Sequence, residues 1–305
     1  MKIAILGAGA VGGYYGGLLA RSGNEVTFIA RGAHLAAIRE CGLRVESVHG
    51  DFEVCPAQAT DDPATVGPVD LVLVTVKSYG LEEAAVAARS LVGPETCVLP
   101  LLNGLDAAER LAAVLGDGPV LAGLTHISAS VVAPGLIRQV SPLRRITFGE
   151  RDGTITPRAG RIRDTLAAGG IEVVLTPAVE VALWEKFVFI ASIGGVCSLT
   201  RLPIGPVLAL PETRQLYLDA LREVEAVGRA RGVALPADIV EQTLRLTEGF
   251  APQTKPSLLA DLEAGRPLEL EALSGTVVRY GRQAGVPTPV HRVIYAALKP
   301  RLLSS

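Results

Sequence analysis

The feature that most constrains this chain is a glycine cluster placed directly behind a short apolar run at its start. Residues 2–6 read KIAIL, and Gly7, Ala8, Gly9, Ala10, Val11 and Gly12 follow as GAGAVG. An apolar run, a turn, and then the small and apolar residues of 11–22 spell strand, turn and helix. Residues 25–30, EVTFIA, are β-branched and aromatic and come after Gly23 and Asn24, which suit a tight turn, so a second strand completes one βαβ unit by residue 30. In such a unit the glycine spacing has a mechanical reason. The first glycine makes the tight turn, the second lets a diphosphate approach the backbone, and the third packs helix on strand. Residues 7–12 are therefore candidate dinucleotide-binding residues, with the unpaired N–H groups of the helix start directed at the phosphates. A purely structural glycine turn is the competing reading.

Further runs rich in valine and leucine occupy 70–76, 96–102 and 120–125, separated by stretches able to hold helices. Alternation of this kind predicts a parallel sheet covered on both faces. Residues 43–54 and 135–148 read as additional short strands whose pairing the pattern leaves open. Beyond Pro177 the texture changes to helix, at 179–198, 212–231, 236–249, 256–264 and 269–284. The fold class is α/β: an N-terminal Rossmann-type dinucleotide-binding domain over 1–176, then an all-α catalytic and substrate domain over 177–305. A length of 305 residues suits two domains, because single cores stop growing near about 250–300 residues.

The end of the second strand bears on which dinucleotide fits. A site for NAD usually places Asp or Glu there to hold the ribose 2′-hydroxyl, whereas this chain has Ala30, Arg31 and Gly32. A guanidinium can grip a 2′-phosphate with paired hydrogen bonds. Arg31 thus favours NADP(H), against the alternative of a solvated surface arginine. Lys77 and Asn103 follow the third and fourth apolar runs, where such a sheet meets its ligand. Lys77 could reach a phosphate and Asn103 a nicotinamide ribose or substrate; each could instead be a solvent-facing turn residue.

Composition narrows the partners. Nearly half the residues are hydrophobic, a fifth are charged, and the net charge is -2, which gives no general attraction to nucleic acid or anionic lipid. Cys41, Cys55, Cys97 and Cys197 are scattered, with no metal-ligand spacing, so no metal is expected and the default compartment is a reducing cytoplasm. No signal peptide is visible. The longest apolar stretch, 184–196, is interrupted by Glu185, Lys186 and Ser192, so no membrane span is expected. His34, His49, His126 and His291 show no metal or triad spacing and read as structural or exposed, with His126 a possible neighbour of a cleft.

Lys186 stands out, because it sits in LWEKFVFIASIGG, a segment apolar on most faces. Lys186, Ile190 and Gly194 are four residues apart and share one helical stripe. If that stripe lines a cleft, the ammonium can donate a proton to a carbonyl oxygen as hydride reaches the carbon. A lysine snorkelling off a core helix is the alternative. Glu269 follows Arg266 and Pro267 at an apparent helix start, where the helix dipole alone would favour a carboxylate.

Taken together, GAGAVG at Gly7, TVKSY around Lys77, LLNG around Asn103, THIS from Thr125, WEK at Lys186 and KPSLLADLEAGRPLELE from Lys255 resemble the ketopantoate reductase (2-dehydropantoate 2-reductase) family over nearly the whole chain. The resemblance implies NADPH-dependent reduction of ketopantoate to pantoate, in pantothenate and coenzyme A biosynthesis, by a cytoplasmic homodimer. It implies that Lys186 is the proton donor and that Glu269 is a second active-site residue near the nicotinamide. It also implies that Asn103 touches cofactor and substrate, that Ser257 and the Ile190 position meet substrate, and that Ser128 lies near the cofactor. The chain departs from the family pattern at Ile190, Gly194 and Ile204, where members often carry asparagine. Loss of three amide contacts weakens recognition of a hydroxylated substrate and keeps open a reductase of a less polar 2-oxo acid. Arg201 could bind such an acid's carboxylate or be a surface arginine. A third alternative is an NADP(H)-binding redox sensor without turnover.

Overall fold

The computed structural model describes residues 1–303. The chain divides into two units, Met1–Leu102 with Asp106–Val179, and Asn103–Leu105 with the chain from Glu180 onward. The first unit runs β1 (Lys2–Leu6), α1 (Ala10–Arg21), β2 (Glu25–Ile29), α2 (Gly32–Cys41), β3 (Leu43–Ser47), β4 (Phe52–Val54), β5 (Gln58–Thr60), β6 (Leu71–Val74), α3 (Leu81–Ala88), β7 (Cys97–Pro100), α4 (Ala107–Leu115), β8 (Ala122–His126), β9 (Ala129–Ala133), β10 (Leu136–Gln139), β11 (Arg145–Gly149), α5 (Pro157–Ala168) and β12 (Glu172–Leu175).

Five strands form a parallel sheet in the order β5-β2-β1-β6-β7. Its strands are apolar without interruption because both faces are covered, and side-chain alternation sorts them into two cores. On one face Ile3 and Ile5 of β1, Leu71 and Leu73 of β6 and Leu99 of β7 join Tyr14, Tyr15 and Leu19 of α1. On the other, Ala4, Leu6, Val72, Val74 and Val98 join Leu81 and Ala84 of α3 and Leu111 of α4. Each fully buried aliphatic side chain contributes about 1.5–3 kcal/mol. The strand order reverses at β1, so the glycine cluster leaves the sheet at its switch point, where open α/β sheets receive ligands.

The remaining strands form two small mixed sheets, β4-β3-β10-β9 and β12-β11-β8. The run 120–125 is therefore not a full member of the parallel sheet. Val120 makes a single parallel bridge to Val98, and the chain then pairs as β8 antiparallel to β11. Hydrophobic periodicity records that a strand is buried but not the direction of its neighbour.

In the second unit every named element is helical: α6 (Val179–Thr200), α7 (Ile204–Ala209), α8 (Pro211–Ala230), α9 (Ile239–Glu248), α10 (Ser257–Glu263), a π-helical turn (Glu271–Gly275), α11 (Thr276–Ala284) and α12 (Pro289–Leu298), with a last 3₁₀ turn. The core gathers Trp184, Phe187, Ala191 and Val196 of α6 with Tyr217, Leu221 and Val224 of α8 and Ile294 of α12. Among the described residues α6 is the one helix long and apolar enough to cross a membrane by length and composition. Most of its most apolar stretch is buried inside the protein, as in a core helix. Neither α7 nor α12 is among the helices expected from the sequence. The first is six residues holding Gly205 and Pro206, and the second buries only His291, Ile294 and Leu298.

His291 of α12 is fully buried, with Nε2 3.2 Å from the Ala220 carbonyl oxygen and Nδ1 3.2 Å from Ser274 Oγ. A carbonyl can only accept, so Nε2 carries the proton and Ser274 donates to Nδ1. Burial pushes the imidazole down to about 4 from its ordinary 6.5. Between those values the unfolded chain binds more protons than the folded one, so stability falls as pH drops below 6.5, by at most about 1.4 kcal/mol per pH unit. Glu223, whose carboxylate accepts from the N–H groups of Val290 and His291, is raised by burial and acts in the opposite sense at lower pH. The thermal midpoint should therefore decline between about pH 6.5 and 5.5, and His291→Gln should flatten that decline. An unchanged slope in the variant would assign the acid sensitivity to other groups.

Candidate active site

The glycine turn is built by close approach. Gly7 has φ +99°, and a Cβ there would lie 2.7 Å from Val76 Cγ1. A Cβ on Gly12 would meet the Gly7 carbonyl oxygen, Thr75 Oγ1 and, at 2.7 Å, Ile5 Cγ2, so α1 can press on β1 and β6 only through glycine. Gly9 is the opposite case, since a Cβ there meets nothing within 4 Å. The backbone is open where a diphosphate would need to come close. Gly7 and Ala8 donate to the Ile29 carbonyl and Gly9 donates to the Gly7 carbonyl. Gly13 makes the first helical bond, to Gly9, so Ala10, Val11 and Gly12 carry the N–H groups that a helix start leaves without an intrahelical acceptor. These residues fit a dinucleotide diphosphate in shape and in hydrogen-bonding character.

Two side chains hold this turn: Thr75, which the sequence analysis does not name, and His34, which it reads as structural or exposed. Thr75 donates to the Gly7 carbonyl oxygen at 2.8 Å. Gly135 N–H donates to His34 Nδ1 at 3.0 Å, which leaves the imidazole proton on Nε2, 2.8 Å from the Ala8 carbonyl oxygen. His34 thereby ties the glycine turn to the β9–β10 hairpin. Its only sequence signal is a histidine shortly after the second strand.

Arg31 is the N-cap of α2, just past β2, and its guanidinium pairs with Glu83 at 2.5 Å on the surface. Lys77 is exposed after β6 and caps the short 3₁₀ turn Ser78–Gly80. Ser128 is exposed between β8 and β9, with its N–H donated to Ser141 Oγ at 2.9 Å.

In the second unit three separated segments converge. Asn103 is half-buried beside Gly104, whose φ of +105° turns the chain. Lys186 Nζ donates to Asn103 Oδ1 at 2.9 Å, and Asn103 Nδ2 donates to Glu269 Oε2 at 3.3 Å. The amide is thus oriented by a cation at its oxygen and an anion at its nitrogen. Glu269 is buried and lies just before the π-helical turn, accepting Leu273 N–H at its backbone carbonyl, while its carboxylate faces Asn103. Burial brings Lys186 down to about 8 from its ordinary 10.5, against the opposing pull of Glu269. A lysine in this state is a far better proton donor than one in water, and still mostly protonated at neutral pH.

The rest of the Lys186 stripe is apolar. Ile190 is half-buried and Gly194 is buried, and a Cβ on Gly194 would sit 3.6 Å from Leu258 Cβ. Ile204 is a core residue whose N–H donates to the Thr254 carbonyl. Ser257 is exposed at the first residue of α10. Arg201 is exposed with φ 57° at the end of α6, the left-handed conformation that glycine usually takes at that place. Cys97 and Cys197 are buried, with thiols pushed up by burial. Among the described residues no group of three His, Cys, Asp or Glu side chains is placed to hold a metal ion.

Two family profiles match the chain. The profile described as "Ketopantoate reductase PanE/ApbA" matches residues 3–153, and its C-terminal counterpart matches residues 178–301. The 2-dehydropantoate 2-reductase of Halobacterium salinarum is 31% identical over 296 residues, covering 96% of each chain. The uncharacterized oxidoreductase YkpB of Bacillus subtilis is 30% identical over 98% of each. A crystal structure of 2-dehydropantoate 2-reductase from Geobacter metallireducens GS-15 superposes with a TM-score of 0.93 at 33% identity, over 98% of this chain and 99% of that one. Profile, sequence and fold agree over both units, and the chain belongs to the ketopantoate reductase family of oxidoreductases.

Proposed function

We propose that the protein uses NADPH to reduce the C2 carbonyl of a 2-oxo acid, with ketopantoate as substrate and pantoate, on the way to pantothenate and coenzyme A, as product. The observation that carries this reading is the Lys186–Asn103–Glu269 chain, an ammonium of lowered basicity aimed by an amide. Residues 1–176 would hold the dinucleotide, with the N–H groups of Ala10, Val11 and Gly12 on the diphosphate, Arg31 on the 2′-phosphate, and Lys77 and Ser128 beside it. Bound there, NADPH supplies the hydride that reaches C2. Residues 177–305 would supply the chemistry, joined by Asn103. Lys186 Nζ gives its proton to the C2 oxygen as negative charge builds on it, and the neutral amine is reprotonated from solvent. Asn103 fixes the direction of that proton, and Glu269 keeps the lysine charged until it is needed. Ser257 and Ile190 would border the substrate. We read the protein as a cytoplasmic homodimer that acts on small molecules and not on nucleic acid or membrane.

A second reading, a less polar 2-oxo acid as substrate, is favoured by one observation: the Lys186 stripe continues as half-buried Ile190 and buried Gly194 rather than as amides. Buried hydroxyls of a substrate would find fewer partners there. NADPH oxidation followed by absorbance with ketopantoate, pyruvate and 2-oxoisovalerate decides between the two. Preference for ketopantoate supports the first reading, preference for 2-oxoisovalerate the second, and NADPH binding without any turnover would replace both with a sensor.

Lys186→Ala should lower kcat by about 10²–10⁴-fold, the usual worth of a positioned acid, with NADPH affinity retained; unchanged turnover would remove Lys186 from the mechanism. For the reduction, kcat/KM should be level at neutral pH and fall about tenfold per unit above pH 8, as the lysine loses its proton. A level profile to pH 10 would contradict that assignment. Gly9→Ala should fold normally, because its Cβ meets nothing, yet raise the KM for NADPH by blocking the diphosphate. Gly12→Ala should instead lower the thermal midpoint. Equal behaviour of the two variants would reduce the turn to a structural element.

A further inference from the structure

The sheet order places Arg31 and Glu83 on opposite sides of the glycine turn. Arg31 follows β2, Glu83 lies in the first turn of α3 beyond β6, and β1 with its glycine turn runs between those two strands. The ion pair from Arg31 Nη2 to Glu83 Oε1, at 2.5 Å, therefore reaches across the crevice that begins at the turn. Neighbouring charges are engaged elsewhere: Glu82 with Arg110, and Arg39 with Asp61 and the Ala59 carbonyl. Arg31 holds the Glu83 carboxyl below the usual carboxylate range, so it is charged at neutral pH.

We infer that Glu83 is a specificity-determining residue that competes with the 2′-phosphate of NADPH for Arg31 and so mutes the preference for NADPH over NADH. The inference rests on the reading above that Arg31 meets the 2′-phosphate. Both side chains are mostly exposed, and pairs of this kind shift an equilibrium only about two- to fivefold, so a phosphate can displace the carboxylate. Displacement leaves Glu83 beside a dianion, which repels it and adds to the penalty on NADPH. NADH carries no such phosphate, and the carboxylate held at this place can accept the ribose 2′-hydroxyl, as acidic residues do in NAD sites. An arginine alone would make a strongly NADPH-selective site, whereas an arginine clasped by a carboxylate makes a permissive one.

The test is kcat/KM with NADPH and with NADH for the intact protein, Glu83→Gln, Arg31→Ala and the double variant. Glu83→Gln should raise the NADPH/NADH ratio by about three- to tenfold, with the change carried by a lower KM for NADPH and declining at high salt. Arg31→Ala should collapse the ratio, and in that background Glu83→Gln should change the KM for NADPH by a smaller factor than it does alone. If Arg31→Ala lowers the ratio while Glu83→Gln leaves it unchanged, the role of Glu83 is overturned and the cofactor reading stands. If Arg31→Ala leaves the ratio unchanged, the reading of Arg31 falls and the inference with it.

Discussion

A single amide side chain organises the chemistry of this protein. Asn103 presents its oxygen to the Lys186 ammonium and its nitrogen to the Glu269 carboxylate, so three residues far apart in sequence are fixed by complementary charge. Remove the amide and the geometry loses its reason: the half-buried ammonium would lose the oxygen that accepts from it. The surrounding helices make sense as a frame for this contact. Helix α6 brings Lys186 up from an apolar core, and the π-helical turn following Glu269 widens the helix path at the site. Wide turns of this kind recur at functional sites.

Two electrostatic effects oppose one another at Lys186, and their balance sets its usefulness. Burial drives the ammonium toward neutrality, and Glu269 resists. Desolvation without the carboxylate would lower the value further and leave less of the lysine protonated at physiological pH. The carboxylate without burial would give an ordinary lysine that releases its proton reluctantly. A value near 8 lies close to the operating pH, where proton transfer is most effective. The first unit follows a different logic, of space rather than charge, in which missing side chains at Gly7, Gly9 and Gly12 create the turn, the opening and the helix–strand contact.

Much of this was legible in the sequence because it is local. GAGAVG behind KIAIL carries its own geometry, the uninterrupted apolar runs of β1 and β6 show strands buried on both faces, and the helix from 179 is visible as a largely apolar texture. Lys186 drew attention as a charge in that texture, and the structure brings it to Asn103 and Glu269. What was not legible is pairing between distant segments. The antiparallel turn of β8 onto β11, the His34 link from the glycine turn to Gly135 and the Arg31–Glu83 pair join residues tens of positions apart, and no periodicity encodes them. Helix α7 escaped because proline and glycine interrupt it, whereas α12 was missed although seven of its ten residues are apolar.

The central claim is that Lys186 titrates near 8 because it is buried, with Glu269 holding it from falling further. Direct titration of the Lys186 side chain by NMR, using ¹³Cε-labelled lysine and assigning the signal with Lys186→Ala, measures that quantity without turnover. The account predicts a midpoint near 8, displaced to lower pH in Glu269→Gln because the stabilising anion is gone. A midpoint at the ordinary 10.5 of a solvated lysine, unmoved by Glu269→Gln, would contradict it.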